Sequence, residues 1–305
     1  MQTRFSTVLI GGGTGFIGSR LKNAFSPIAD KVILVSRNNA KDCLTWDHIN
    51  KNGIPKGTDL VINVAGENVL NPFRYWSTSF KENVISSRVQ TNKCLATAIQ
   101  KCENGPRAFI TISGVNYYRP NGEEQTEYNQ VSSFDFFSKL CEQWETAGNI
   151  EKSGTRRVII RCGVVLGSEG GMIANIKIPF KLGLGGIIGC GKQLMPWIHA
   201  HDLSQLFVFA ACNERVNGVL NGVAPLVITN YDFTKAFGKS LQRPTLIPFP
   251  AFAVKLVFGT ERSDMLLKGP KVIPRRVQEL NFKYKYANIE AACNELVNSS
   301  FIKTQ

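Results

Sequence analysis

Val8-Leu9-Ile10-Gly11-Gly12-Gly13-Thr14-Gly15-Phe16-Ile17-Gly18-Ser19-Arg20-Leu21 decides how the rest of the chain is read. A short β-branched run ends in a glycine cluster, and an amphipathic segment carrying Phe16, Ile17, Leu21 and Phe25 begins at once. Glycines 12, 15 and 18 have the GxxGxxG spacing. In a strand–turn–helix unit one such glycine permits the tight turn and one lets backbone approach a pyrophosphate. The third lets the helix pack closely on the sheet, while free N–H groups at the helix start face the anion. Plain strand-to-helix turns also use glycine, so the triplet takes its meaning from its neighbours.

A second strand comes next, Lys31 to Val35, ending at Ser36-Arg37. An NAD-preferring site places Asp or Glu there to accept from the ribose 2′-hydroxyl. Ser36 offers a hydroxyl and Arg37 a guanidinium, a pair suited to a 2′-phosphate, so the expected cofactor is NADP, as NADPH.

The alternation continues. Asp59 to Gly66 is a short apolar run of the kind buried on both faces of a parallel sheet, and its small-residue end, Ala65-Gly66, lets backbone lie against a nucleoside. After Glu67 and an aromatic, basic loop (Phe73, Arg74, Tyr75, Trp76), apolar residues recur at helical spacing from Ser79 to about Ile99. Asn83 and Arg88 ride on that helix. Arg107 to Gly114 reads as the next strand, ending in Ser113, with Tyr117 and Tyr118 just beyond and an acidic loop (Glu123, Glu124, Glu127) after them. A helix over Phe134–Glu145 and strand segments at Val158–Arg161 and Gly163–Gly167 come after it. The fold class is therefore α/β: a Rossmann-type, doubly wound parallel sheet with a smaller C-terminal α/β substrate region. Residues 1–170 are expected to form the NADP-binding domain, with strands returning from about 215–250, and residues 171–305 the substrate region with a C-terminal helical segment. In the latter, helices are predicted over 203–211, 230–240, 252–258 and 288–297, with short strands at 218–223 and 245–248. The glycines from 183 to 191 lack the GxxxxGK[ST] pattern and read either as a loop beside cofactor or substrate or as a plain surface loop.

Composition narrows the classes further. The 305 residues contain no apolar run near the roughly 20 needed to span a bilayer, so no membrane partner is expected. The eight cysteines are scattered without CxxC or metal-ligand spacing; they read as reduced thiols, and no metal is expected. With the first strand starting near Phe5 there is no room for a leader within these residues, so the expected compartment is the cytoplasm, with a mitochondrial or other organelle matrix open to a processed precursor. The net charge of +13 is dispersed, with no extended basic run and no nucleic-acid motif, so nucleic acid is not an expected partner. The remaining partners are a small-molecule substrate and, as an open possibility, a second copy in a homodimer.

With the segments placed, the chain resembles the extended short-chain dehydrogenase/reductase superfamily. It is most similar to the atypical epimerase-like subgroup of family 39U type, which has bacterial and plastid cell-division-inhibitor-like relatives. The stretches that carry the resemblance include GGGTGFIGSRL, LVSR, TWD at 45–47, VINVAGENVLNPFRYW, SSRVQTNK, RCGVVLG and PFKLGLGGIIGCGKQLMPWIHAHDL, and near the end FPAFAVKLVFG with LLKGPKVIPRR. The resemblance implies cofactor contacts on Gly12, Thr14, Gly15, Phe16, Ile17 and Gly18, on Ser36 and Arg37, on Val64, Ala65 and Gly66, and on Asn83, Arg88 and Val165. It also implies an NADP-dependent oxidoreductase or epimerase. Active members use a Tyr-x-x-x-Lys pair as the acid–base device. Here Phe137 and Cys141 stand at those positions, with Glu145 four residues on, and neither a phenyl ring nor a thiol can do that work. Ser113 and Tyr117 remain as candidate catalytic hydroxyls, with Tyr118 beside them, and Glu67 and His199 as candidate substrate-side groups. Each has a packing or surface role as its alternative. The other functional reading is a catalytically silent NADPH-binding protein with a regulatory or organelle-division role.

Overall fold

A computed structural model describes residues 4–37, 43–151 and 154–302. Seven strands form its central sheet: β1 (Phe5–Gly11), β2 (Ala29–Ser36), β3 (Cys43–Thr45), β4 (Leu60–Asn63), β5 (Ala108–Gly114), β7 (Arg156–Cys162) and β10 (Gly218–Gly222). They lie in the order β10-β7-β5-β4-β1-β2-β3, all parallel. Side chains alternate between faces along β1. Val8 and Ile10 join one apolar layer with Leu21 and Phe25 of α1 (Phe16–Phe25) and with Leu203 and Phe207 of α6 (Ala200–Cys212). Leu9 joins the opposite layer with Ile49 of α2 (Trp46–Asn52) and Leu95 and Ile99 of α3 (Thr78–Lys101). Both faces are covered, as the unbroken apolar strands require.

Beyond β5 a 3₁₀ turn, Val115–Tyr117, leads through β6 (Glu124–Gln125) to α4 (Phe136–Thr146). The predicted start at 134 moves to 136 because Asp135 caps the helix, accepting from the Ser138 N–H while the Ser138 hydroxyl accepts from the Asp135 N–H. A second apolar cluster gathers around β8 (Val164–Gly167), β9 (Trp197–His199), α5 (Gly171–Lys181), α7 (Asn230–Ser240) and α10 (Ile289–Ile302).

Four segments differ from the sequence reading. Helices α2 and α5 lie outside its expectations; α5 opens on glycine and carries Pro179, which masks its period. Residues 245–248 are not a strand: prolines 244, 248 and 250 remove ladder donors, and the stretch keeps only an isolated bridge between Ile188 and Phe249. The helix expected over 252–258 runs on as α8 (Ala251–Leu267), kinked at Gly259, whose φ is 76°. Past it, β11 (Lys271–Val272) pairs with β6, and α9 (Arg275–Glu279) precedes α10.

Candidate functional site

The carboxyl ends of β1, β2, β4 and β5 converge on one edge of the sheet, the place where such sheets bind ligands. Gly12 has φ +74°, and a Cβ there would sit 2.7 Å from the Ala65 backbone; at Gly18 it would strike the Gly12 carbonyl. The turn thus needs glycine at both positions. The helix α1 starts at Gly15 with no side chain capping it, so its first N–H groups point outward. Gly12 and Gly13 donate to the Val35 carbonyl at 2.9 and 3.3 Å, pinning the loop to the end of β2. Phe16 folds over Gly167, Gly170 and Gly171, the last of which also approaches the Val165 carbonyl. The loop and the exit of β8 therefore form one wall. Ile17 turns inward onto the core.

At the end of β2, the Thr14 and Ser36 hydroxyls lie 3.1 Å apart. Arg37 projects into solvent and its Nη1 donates to the Glu67 carboxylate at 2.9 Å. Glu67, expected on the nicotinamide side, pairs with Arg37, which ties the exit of β4 to the end of β2. Arg88 lies beneath that exit. Its guanidinium packs under Gly66, donates to the Glu67 carbonyl at 2.9 Å and the Val84 carbonyl at 3.2 Å, and covers the Trp144 ring. Burial pushes Arg88 down to about 10. Asn63 donates to Asn92 at 2.7 Å and accepts from the Ala65 N–H, which fixes the backbone of Val64 and Ala65. Asn83 is exposed on α3, five residues before Arg88.

The acid–base positions are apolar. Phe137 is buried and stacks on Trp76 at 5.8 Å, with Phe136 edge-on. Cys141 is buried against Gly114, and burial pushes its thiol up to about 12, so it stays neutral at ordinary pH. Ser113 is buried beside that thiol with no hydrogen bond of ordinary geometry satisfying its hydroxyl.

The two tyrosines belong to a buried polar network that the sequence reading does not find. Arg161, 4% exposed, makes a bidentate pair with Glu145, both contacts 2.8 Å. Its Nη1 donates to the Tyr118 hydroxyl, which in turn donates to Asn221 Oδ1 at 2.8 Å. Burial raises Tyr118 to about 12 against the lowering effect of Arg161. Burial disfavours the Arg161 cation, but the Glu145 carboxylate and Tyr118 outweigh it and raise the net value. Tyr117 lies flat under the Arg161 guanidinium, 3.3 Å away, and its hydroxyl accepts from the Val131 N–H. Glu127, read as part of an acidic loop, is buried and accepts from the N–H groups of Asn221 and Arg276. Tyr117 is thus held as a packing and hydrogen-bonding residue, not as a free phenol.

His199 is likewise committed elsewhere. Its Nδ1 accepts from the His201 N–H, capping α6, which leaves the proton on Nε2 to face Glu295 at 2.9 Å. Tyr286 covers the ring at 4.1 Å. It ties the start of α6 to α10. Burial lowers its pKa below the ordinary 6.5 in spite of Glu295. The unfolded chain therefore takes up this proton first as pH falls, and stability is lost from about pH 6.5 downward. His199→Asn keeps a cap but cannot titrate; thermal melts from pH 7.5 to 5 should show a shallower acid decline in the variant, and an unchanged slope would contradict this.

A cavity of about 370 Å³ opens beside Phe137. Asn116, Tyr118 and Asn121 line one side, and Asp264, Met265 and Lys268 of the α8 end line the other. Arg262 fastens α8 there: buried, it donates to the carbonyls of Val69 and Asn71, while Glu261 accepts from Trp76 Nε1 at 2.6 Å. A larger concavity of about 790 Å³ lies between α3 and the loop after α2, away from the glycine loop and lined mainly by exposed polar groups. Of the residues singled out in the sequence, Tyr118 and Phe137 line the first. Among the described residues no His, Cys, Asp and Glu cluster could hold a metal, and no helix is long and apolar enough to cross a membrane.

Comparison with known proteins agrees with this architecture. Residues 8–221 match the model of the NAD dependent epimerase/dehydratase family, and residues 249–296 match a domain of unknown function. The epimerase family protein SDR39U1 of Bos taurus is 44% identical over 292 residues, 95% of this chain and 99% of that protein. An epimerase family protein of Staphylococcus aureus, SAR0825, is 32% identical, with 95% and 98% covered. The crystal structure of human SDR39U1, which was solved with NADPH, superposes with a TM-score of 0.93 at 43% identity, covering 96% of this chain and 99% of that one. The chain belongs to the NAD-dependent epimerase/dehydratase family, among the epimerase family proteins of the SDR39U1 kind.

Proposed function

We propose that the chain binds NADPH along the carboxyl edge of the sheet and acts as an NADP-dependent oxidoreductase, epimerase-like in build, on a small molecule. The observation that carries this reading is Arg37 at the end of β2, a cation beside an uncapped helix start, where an acid would repel a 2′-phosphate. The cradle fits a dinucleotide: glycine at 12 and 18 lets the turn close against the Ala65 backbone and on itself, and the uncapped start of α1 leaves N–H groups for a pyrophosphate. The human relative crystallised with NADPH supports the same choice.

When bound, the nicotinamide supplies a hydride. The chain's own residues bind and orient the dinucleotide: Thr14 and Ser36 at the adenine end, Val64 and Ala65 through their backbone, and Ser113 at the end of β5 with Cys141 of α4 packed beside it. Phe137 has no proton to give, burial makes the Cys141 thiol and the Tyr118 phenol weaker acids than usual, and the Tyr118 hydroxyl already donates to Asn221. The site therefore suits an acceptor already electron-poor, which needs no strong acid on its oxygen, with solvent entering the open cavity. NADPH absorbance should fall with an activated carbonyl or enone in the panel, and titration calorimetry should show binding. No heat with NADPH would overturn the cofactor reading; tight binding with silence across the panel would favour the nucleotide-holding role over turnover.

The phosphate argument has its own check. Arg37→Glu should weaken NADPH by roughly 10- to 100-fold while NADH changes by less than about threefold. Glu67→Gln, by freeing Arg37, should tighten NADPH by about two- to fivefold at low salt. Equal effects on both nucleotides would contradict the placement of the phosphate at Arg37.

A further inference from the structure

The chain carries a second surface that the nucleotide site does not use. Two stretches, residues 170–201 and 233–260, contain no Asp or Glu, yet hold three lysines (177, 181, 192) and Lys235, Lys239, Arg243 and Lys255. The fold brings these stretches side by side. Arg243 Nε donates to the Lys181 carbonyl at 2.8 Å, and the Phe249 N–H donates to the Ile187 carbonyl at 2.8 Å. On this seam the large apolar side chains face outward: Leu182 is 68% exposed, Leu246 79%, Phe252 74% and Leu256 85%. Phe252 and Leu256 are one helical turn apart and share a face of α8. Monomeric surfaces seldom leave such a group uncovered.

Apolar groups ringed by cations, on stretches that hold no acid of their own, have the chemistry of an interfacial membrane contact, with leucine and phenylalanine entering the acyl boundary and lysine meeting anionic headgroups. A second copy fits poorly, because a symmetric contact would set this positive face against itself. Lys239 is drawn toward Glu290 at 3.6 Å and Lys235 toward the Thr245 hydroxyl at 3.1 Å. Lys181 and Lys255 directly precede the exposed Leu182 and Leu256, and Lys177 lies one turn before Lys181 on α5. We infer that the face built from the α5 end, residues 243–249 and the first half of α8 docks reversibly on an anionic lipid surface. The expectation of no membrane partner rests on the lack of a spanning segment, which does not bear on a helix lying in the interface. The inference does not depend on the nucleotide reading, since none of these residues belongs to the cradle.

The test is flotation of the full chain with vesicles of phosphatidylcholine alone and with about 30 mol % phosphatidylserine. The anionic vesicles should carry at least about tenfold more protein, and raised salt should reverse this. Leu246→Asp with Leu256→Asp should abolish flotation, and Lys177→Gln, Lys181→Gln and Lys255→Gln together should lower it by about fivefold or more. Circular dichroism and NADPH titration confirm that both variants remain folded. No flotation with anionic vesicles overturns the inference. So does flotation that the aspartates leave unchanged, which would be simple charge adsorption. A dimer in sedimentation velocity that the aspartates dissolve, with no vesicle binding, would assign the face to a second copy instead.

Discussion

Gly12→Ala should abolish measurable NADPH binding, weakening it by at least about 100-fold, while the chain still folds. Two costs add at this position. A left-handed φ of +74° costs a Cβ-bearing residue about 1–2 kcal/mol. The new methyl would also lie 2.7 Å from both the N and Cα of Ala65, which is backbone and cannot swing away. The loop can relax only by lifting from the end of β4, which removes the surface meant for the pyrophosphate. Gly57→Ala is the control. Its φ is +75° with nothing within 4 Å of the added methyl, so it carries the strain without the collision. Calorimetry with NADPH should find Gly57→Ala close to the parent and Gly12→Ala silent; equal losses would show that strain alone, and not the close approach of the two strand ends, is responsible.

Glu145→Ala should be the most damaging change to stability. It strands the Arg161 guanidinium, buried between β5 and β10, with only the Tyr118 hydroxyl as a side-chain acceptor. Breaking a buried pair from one side costs about 3–5 kcal/mol. In a chain of this size the midpoint should fall by roughly 5–10 °C. Replacing both partners with apolar residues, Glu145→Leu with Arg161→Met, should recover much of the loss, since the cost is that of an unpaired charge. A single variant that melts with the parent would refute the structural role. Recovery in the double variant, together with retained NADPH binding, would separate this network from the nucleotide cradle.

The contrast between these two sites shows what the sequence could disclose. The glycine loop is local: spacing, strand and helix start lie within fourteen residues, and the hydrophobic period on either side fixes their roles. Arg37 is readable for the same reason, being set a fixed distance beyond the motif. The pairing of Glu67 with Arg37 is not, because the direction a chain takes on leaving a strand depends on what lies under the turn. Here that is Arg88, reaching across from a helix 21 positions later. The Arg161 network has a visible half: a charged residue closing the run Val158-Ile159-Ile160 must find a partner when the strand is buried. Its other half, Glu145, Asn221 and Glu127, comes from three separate segments that only topology joins. His199 shows the converse. A histidine beside Trp197 and Ile198 gives no sign that Glu295 of the last helix waits for it.

The grip of Arg262 on the carbonyls of Val69 and Asn71 spans 193 and 191 positions of the chain. Contacts so distant in sequence close late, since the intervening polymer must first be ordered. The residues of the glycine loop and the first strands leave the ribosome well before α8 does. Newly made protein thus has the parts of its coenzyme berth available while the far wall of the neighbouring chamber is still unbuilt. The far wall of that chamber waits on residues made late in synthesis, Arg262 among them.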